Sequence, residues 1–160
     1  MQPPSQQLSN PDLPIYSIGS VARKLGVSVQ TLRSYESSGL ILLRKSSGGQ
    51  RRYSESDIDR LECIRQAITH EQMTIAGIRR TQSLVPCWSI IRCSDAEKAN
   101  CPAFREHDGG CWTYTHDGNA CSGRDCRACD VYRLSTSCSG IKQLITTVTD
   151  THVSEPSHQH

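Results

Sequence analysis

The sequence predicts a mainly α-helical protein, in which a winged helix-turn-helix domain precedes a small, loop-rich domain dense in cysteine. Charge predicts the division, because residues 15–85 hold 11 lysines and arginines against 6 aspartates and glutamates. Cysteine predicts it too, because eight of the nine lie between Cys87 and Cys138, where helical periodicity is lost. We expect a disordered lead-in at 1–14, the winged domain at 15–85, the cysteine-rich domain at 86–138, and a short helix with a disordered tail at 139–160.

The composition excludes several classes of protein. The chain has 160 residues, a formal net charge of +2 and 5% aromatic residues, which is little material for one large enzyme core. Its apolar runs are all shorter than the roughly 18–20 residues that a membrane helix needs. The polar, proline-rich N-terminus does not have the pattern of a signal peptide, so we expect a cytoplasmic protein without a membrane partner.

Two short helices are predicted at the start of the first domain. The apolar face of the first helix comprises Ile18, Val21, Ala22 and Leu25. Gly26 follows it and suits the C-cap position, where the helix is expected to end. Ser28 is the expected N-cap of the second helix, which runs to about Ser37. Two short helices joined through a glycine form a helix-turn-helix.

A β-hairpin and two further helices are predicted next. The apolar run 40–43, the turn at Gly48-Gly49 and the basic strand 51–53 predict a hairpin with a charged tip, which beside a helix-turn-helix is a wing. Residues 54–57 have the form of a capping box and begin a third helix. Its apolar stripe comprises Ile58, Leu61, Ile64 and Ile68. A shorter helix at about 74–84 completes the domain.

Several ordered motifs in residues 16–84 carry a resemblance to a known family. They are Tyr16-Ser17-Ile18-Gly19, Leu25-Gly26-Val27, Thr31-Leu32-Arg33-Ser34-Tyr35-Glu36, Gly39-Leu40-Ile41 and Gly49-Gln50-Arg51-Arg52-Tyr53-Ser54. In content and order they resemble the N-terminal DNA-binding domain of MerR-family transcriptional regulators. The resemblance implies a homodimer that binds a two-fold symmetric promoter in double-stranded DNA and acts indirectly on RNA polymerase by distorting the promoter spacer.

Candidate DNA-binding residues lie on the second helix and on the wing. The first turn of a recognition helix meets base edges, and here it offers Ser28, Val29, Gln30 and Thr31. Gln30 suits a paired hydrogen bond to adenine. The expected phosphate contacts are Arg33, Tyr35, Arg51, Arg52 and Tyr53, with Arg44 and Lys45 as weaker candidates.

The sequence departs from the family after the fourth helix. Family members continue with a long helix whose antiparallel coiled coil builds the dimer, whereas here Pro86-Cys87 follows directly. We therefore expect either that the cysteine-rich domain or an amphipathic helix at 141–148 supplies the dimer contact, or that dimerisation is weak.

The cysteine-rich domain contains an internal repeat. In the first copy Cys87-Trp88 is followed by Cys93, Cys101 and Phe104, and in the second copy Cys111-Trp112 is followed by Cys121, Cys129 and Tyr132. The last two cysteines of each copy are separated by seven residues, and an aromatic residue follows three positions later. The second copy adds Cys126 and Cys138. We expect two similar ligand-bearing loops, each with one aromatic pair as its core.

Clustered cysteines in a reducing compartment favour metal over disulfides. The candidate ligands are Cys87, Cys93, Cys101, Cys111, Cys121, Cys126, Cys129 and Cys138, with His107 and His116 as substitutes. Spacing within 121–129 matches the plant-type ferredoxin run, which favours an iron–sulfur cluster, and MerR relatives that sense oxidants carry such a cluster. Eight thiolates also suffice for two four-cysteine zinc sites. A metal-free thiol switch, or capture of a soft metal ion, is the third interpretation. Cys63, off the helical stripe, is expected to be a spare thiol or small filler.

The leading hypothesis is a transcriptional regulator whose cysteine-rich half senses redox state or metal. That half also resembles a small bacterial domain with two Cys-Trp pairs, found attached to signalling and regulatory proteins. One alternative is a constitutive DNA-binding protein with a purely structural zinc module. Another is a redox or electron-carrying protein with a DNA-binding adaptor. No nucleophile–base pair or nucleotide fingerprint is visible, so we do not expect an enzyme.

Overall fold

The computed structural model describes residues 10–135, 145–146 and 148–150, and they are mainly helical. The α-helices in this part of the chain are α1 (Ile18–Leu25), α2 (Val29–Ser37), α3 (Glu55–Thr69), α4 (Ile75–Ser83), α5 (Cys87–Ile91), α6 (Asp95–Asn100), α7 (Pro102–Arg105) and α8 (Asp130–Leu134). Short 3-10 turns lie at Cys111–Thr113 and Cys126–Ala128. The predicted fold class, a helical domain followed by a loop-rich, cysteine-rich part, is confirmed.

The helix-turn-helix forms as its cap residues predict. Gly26 ends α1 with φ 66°, the left-handed conformation that favours glycine at a helix C-terminus. The Ser28 hydroxyl accepts a hydrogen bond of 3.0 Å from the Thr31 backbone N–H at the start of α2. Both helices therefore begin and end close to the predicted residues.

The wing differs in detail from its prediction. Its strands are β2 (Arg44–Lys45) and β3 (Arg51–Tyr53), and the apolar run before them is not a strand. Leu40 and Ile41 are buried in the core instead. The hairpin is therefore formed by the charged residues that follow them. A further strand that was not predicted, β1 (Tyr16–Ser17), pairs antiparallel with β3 and gives the sheet order β1-β3-β2.

The core of the first domain is built on α3. The predicted capping box is present, with the Ser54 side chain bonded to the Asp57 backbone and the Asp57 side chain bonded back to Ser54. The buried apolar residues of the stripe, Ile58, Leu61 and Ile64, pack against α1 and α2 in one cluster. The Thr74 hydroxyl caps α4 by accepting from the Gly77 backbone N–H, so this helix begins where it was predicted to begin.

The ends of the predicted lead-in and tail fall partly outside the described residues. Residues 10–14 belong to the predicted disordered lead-in, yet the Asp12 carboxylate accepts a 2.7 Å hydrogen bond from the Ser56 hydroxyl. The Pro11 carbonyl also accepts from the Ser56 backbone N–H, so this stretch packs on α3 and the prediction of disorder does not hold there. Residues 145–146 and 148–150 are helical, whereas the remainder of the predicted terminal helix and tail, with Cys138, lies outside the described residues.

The second domain follows the first without a long connecting helix. Short helices α5 to α7, of four to six residues each, begin directly after Pro86. Buried Val85 and Val131 form a small apolar core, against which Cys87, Cys111 and Cys129 pack. No helix in the described part of the chain has the length and apolar character to cross a membrane.

Candidate nucleic-acid interface and cysteine cavities

The exposed face of α2 presents the predicted base-contacting residues. Ser28, Gln30 and Arg33 are exposed, and Val29 and Thr31 are half-buried. The Ser28 hydroxyl is 2.8 Å from the Thr31 hydroxyl as well as capping the helix, so both hydroxyls are already engaged in the first turn. Gln30 and Arg33 are therefore the side chains of this set with the most freedom to reach a ligand.

The basic residues of the wing differ in what they contact. Arg51 is ion-paired with Glu36, which connects β3 to α2. Arg44 pairs with Asp125 of the cysteine-rich half at 3.1 Å. The Arg52 guanidinium contacts the Gln50 amide oxygen at 3.3 Å on the exposed hairpin. Arg52 therefore has no carboxylate partner among the described residues and is the wing arginine best placed for phosphate.

Two predicted phosphate contacts lie in the core instead. Tyr53 is 0% exposed and Tyr35 is 5% exposed, both within the cluster built on α3. Burial raises the pKa of Tyr53 to about 12, chiefly because the phenolate would be poorly solvated there. A phosphate on the surface does not reach the buried Tyr53 hydroxyl, so the structure argues against direct DNA contact for Tyr53, whereas Tyr35 also lines a surface groove beside Gln30.

The cysteines of the second domain line two neighbouring cavities. The first cysteine cavity is lined by Cys87, Cys93, Cys101 and Cys121. The second cysteine cavity is lined by Cys111, Cys121, Cys126 and Cys129. Cys121 borders both cavities, and so does His116. The described candidate ligands are thus brought together, whereas His107 is exposed and lines neither cavity.

The internal repeat is visible as two matching aromatic pairs. Trp88 and Phe104 meet edge to face beside the first cysteine cavity, with ring centroids 5.1 Å apart and an interplanar angle of 88°. Trp112 and Tyr132 meet in the same way beside the second, at 5.1 Å and 87°. Edge-to-face geometry is favourable for aromatic rings, so each copy has the predicted aromatic core.

The thiols influence each other's ionisation. A hydrogen bond from Cys111 lowers the pKa of Cys87, and the same bond raises the pKa of Cys111. Burial, followed by repulsion from Cys93, Cys87 and Cys129, raises the pKa of Cys121 to about 11. Burial also raises the pKa of Cys93 and of Cys126. The raised pKa values keep these groups as protonated thiols, so a metal ion that binds them must displace their protons.

The described candidate ligands are not preassembled around one metal ion. Within residues 10–135, 145–146 and 148–150, no three histidine, cysteine or carboxylate side chains converge closely enough to hold one metal ion. Cysteine sulfurs bound to a single zinc ion lie about 3.8 Å apart, given zinc–sulfur bonds of about 2.3 Å. A single ion bound in either cavity would therefore have to draw these sulfurs together.

Cys63 is disulfide-bonded, so its interpretation as a spare thiol is wrong. By contrast, the seven cysteines Cys87, Cys93, Cys101, Cys111, Cys121, Cys126 and Cys129 are free. The cysteines that line the two cavities are therefore all available as ligands.

Side chains of the second copy hold the backbone that joins α2 to the wing. The Trp112 indole N–H donates to the Gly39 carbonyl at 2.8 Å. The Leu42 backbone N–H donates to the Tyr132 hydroxyl at 2.9 Å, and the Arg127 guanidinium donates to the Leu42 carbonyl. Three backbone groups of residues 39–42 thus have partners in the cysteine-rich half.

Arg60 of α3, which sequence analysis missed, lies at the centre of this contact. Its guanidinium is 4.0 Å from the Tyr132 ring centroid and 4.9 Å from that of Trp112, and it donates to the Leu40 carbonyl at 2.8 Å. Arg60 is 2% exposed, and burial is the main reason that its pKa is lowered. A signal was present, because a charged residue among the apolar positions of a helix must find a buried partner.

Comparison with known proteins identifies the first domain. Residues 16–84 match the model of the MerR HTH family regulatory proteins, which confirms the predicted family of this domain. Heat shock protein HspR of Streptomyces coelicolor is 39% identical over 69 residues, which are 43% of this chain and 46% of that protein. The HTH-type transcriptional activator TipA of the same organism is 48% identical over 50 residues, or 31% of this chain and 20% of that protein.

A third relative shows the same restriction to the first half. The HTH-type transcriptional regulator TnrA of Bacillus subtilis is 44% identical over 50 residues, which are 31% of this chain and 46% of that protein. The chain spans less than half the length of each of these curated relatives. No solved structure gives a significant match.

Proposed function

We propose, from the MerR-type helix-turn-helix domain at residues 16–84, that the chain is a promoter-binding transcriptional regulator whose cysteine-rich half holds an iron–sulfur cluster and senses redox state or metal. The carrying observation is the position of the two cysteine cavities. The second of them adjoins Trp112 and Tyr132, which bond to the backbone between α2 and the wing. A change at the cysteines therefore has a short route to the DNA-binding elements.

DNA binding is supported by the geometry of α2 and the wing. Gln30 and Arg33 project from the exposed face of α2, and Arg52 is the wing arginine without a carboxylate partner in the described part of the chain. A helix in the major groove with a basic strand on the flanking backbone is an established docking arrangement. We expect the protein to bind as a homodimer on a two-fold symmetric site and to act through RNA polymerase.

Cluster binding is supported by the cysteines themselves. Cys87, Cys93 and Cys101 would hold a group in the first cysteine cavity, or Cys111, Cys126 and Cys129 a group in the second, and Cys121, which borders both, would complete one of these sets. A bound iron–sulfur cluster supplies a centre that exchanges single electrons. The surrounding apolar side chains, Trp88, Phe104, Ile91 and Val131, limit access of water.

Zinc is the alternative cofactor. A structural zinc site requires four sulfurs around one ion, and four cysteines line each of the two cavities. A zinc module would make the cysteine-rich half a structural support for constitutive DNA binding, and the same experiment separates the two.

The experiment is anaerobic purification of the full chain, followed by its absorption spectrum and its iron, acid-labile sulfide and zinc content. We expect a brown protein that contains iron and sulfide and bleaches in air. A colourless protein with two zinc ions per chain would contradict the cluster. DNA binding is tested separately, by selecting duplexes from a random-sequence pool with the wild-type protein. Failure to enrich any sequence would contradict the regulator.

A further inference from the structure

The two copies of the internal repeat have the same aromatic pair but differ in their contacts with the DNA-binding domain. Each has one edge-to-face aromatic pair against one cysteine cavity. The Trp112 indole N–H donates to Gly39 of the DNA-binding domain at 2.8 Å. In the part of the chain that the structure describes, the equivalent indole of Trp88 makes no hydrogen bond to that domain.

The second aromatic residue of each pair differs in the same way. Tyr132 carries the hydroxyl that accepts the Leu42 N–H at 2.9 Å, whereas the equivalent Phe104 has no hydroxyl. Tyr132 is 5% exposed and Phe104 is 38% exposed. The second pair is thus buried against the DNA-binding domain, and the first pair is partly open to solvent.

The segment that the second pair holds leads from the recognition helix to the wing. Gly39 follows the C-terminus of α2, and Leu42 lies two residues before β2. The Leu40 carbonyl accepts from Arg60, which itself lies against both rings of the second pair. Moving Trp112 or Tyr132 therefore moves or releases the backbone that sets the position of the wing.

We propose that Trp112 and Tyr132, and not the Trp88–Phe104 pair, are positioning residues for the wing, and that the second cysteine cavity acts on DNA affinity through them. The inference rests on the proposed function, because the readout is binding to promoter-like DNA. The four cysteines that line the second cavity indicate the class of ligand, a metal group bound by thiolates. Its formation or loss would shift Cys111, which precedes Trp112 directly, and Cys129, which lies three residues before Tyr132.

The repeat supplies a matched control for the test. Trp112→Phe keeps an aromatic ring but removes the indole N–H that holds Gly39, and Trp88→Phe is the same change in the other copy. Tyr132→Phe removes only the hydroxyl and serves as a second variant in case Trp112→Phe does not fold. Each full-length variant is titrated with a duplex selected from a random pool by the wild-type protein, over a series of salt concentrations. Hydrogen exchange of the 39–53 segment is measured on the same samples.

We expect Trp112→Phe and Tyr132→Phe to weaken DNA binding by about three- to tenfold, because each variant loses one hydrogen bond. The salt dependence of binding should also fall, because contacts between the wing and phosphates are lost. Faster exchange should be confined to residues 39–53, which a general loss of stability would not produce. Trp88→Phe should match wild type in both measurements. Equal effects of the two tryptophan variants, or faster exchange throughout the chain, would overturn the inference. If the wild-type protein selects no duplex, the proposed function fails and with it the effect on DNA affinity, and the exchange comparison then decides only whether Trp112 and Tyr132 position the 39–53 segment.

Discussion

Arg127 in the cysteine-rich half and Asp57 at the start of α3 form a bidentate ion pair, with nitrogen–oxygen distances of 3.0 and 3.1 Å. Asp57 also closes the capping box of α3 by accepting from the Ser54 backbone and hydroxyl. One carboxylate therefore begins the central helix of the DNA-binding domain and anchors the neighbouring domain. The contact makes the junction between the two halves specific in geometry.

Loss of the Arg127 guanidinium should destabilise the whole chain. Arg127→Ala leaves the Asp57 carboxylate, whose side chain is only 3% exposed, without its cation, which costs about 3–5 kcal/mol of the free energy of unfolding. Urea unfolding followed by circular dichroism measures the change. The control is Arg105→Ala, an exposed arginine of the same half, which should change stability by no more than about 0.5 kcal/mol. A loss below about 1 kcal/mol for Arg127→Ala would show that the pair is not a buried anchor.

Gly39 should not tolerate a side chain. A Cβ atom there would lie 2.6 Å from the Thr113 methyl, and the residue has φ 74°. Gly39→Ala should therefore lower the melting temperature more than Gly49→Ala, because Gly49 has φ 75° but open space around it. Both variants place alanine at a positive φ, which costs about 1 kcal/mol or more. Only Gly39→Ala adds the steric overlap of the new Cβ with the Thr113 methyl group.

A second substitution isolates that overlap. Thr113→Ser removes the methyl group that the new Cβ would meet and keeps the hydroxyl that donates to the Gly110 carbonyl. It should recover the extra loss of melting temperature in the Gly39→Ala background. Equal melting temperatures for Gly39→Ala and Gly49→Ala would mean that the two halves are not in contact at this position.

Arg52 should contribute to DNA binding through charge alone. If Arg52 neutralises one phosphate, Arg52→Ala lowers the slope of log affinity against log salt by about one and weakens binding to all sequences alike. Fluorescence anisotropy over a salt series measures both quantities. Arg105→Ala again provides the control for removal of one positive charge. Identical affinities of Arg52→Ala and wild type at every salt concentration would exclude this residue from the interface.

Gln30 should contribute to sequence recognition. A side-chain amide in the first turn of a recognition helix is worth about 1–3 kcal/mol of discrimination against the wrong base. Gln30→Ala should weaken binding to the selected duplex while leaving the salt slope and the affinity for unrelated DNA unchanged. Parallel titrations with selected and scrambled duplexes test this, and an equal loss for both would contradict a base contact.

The sequence was most informative where a local rule sets the structure. Gly26 and Ser28 mark the helix-turn-helix because positive φ and side-chain capping depend on single residues. The Trp88–Phe104 and Trp112–Tyr132 pairs followed from the repeat, because equal spacings around a shared cysteine pattern fold alike.

The junction between the halves was not predictable in the same way. Arg127 and Asp57 are separated by 70 residues, and the capping box that contains Asp57 predicts Ser54 as its partner, not Arg127. Burial of Tyr35 and Tyr53 was missed because a tyrosine in a basic segment suits either a phosphate or the core, and only packing around α3 decides between them. The absence of a strand at 40–43 has a similar cause. Leu40 and Ile41 are buried in the core and do not pair with β3.

The most direct test of the account compares the DNA affinity of one anaerobic preparation before and after its metal is removed with a chelator or an oxidant. Coupling between two sites typically changes affinity by about 5- to 150-fold, and we expect a difference within that range. Circular dichroism of both samples would establish that the protein stays folded. An unchanged affinity after complete loss of the metal would contradict a cysteine-rich half that regulates DNA binding.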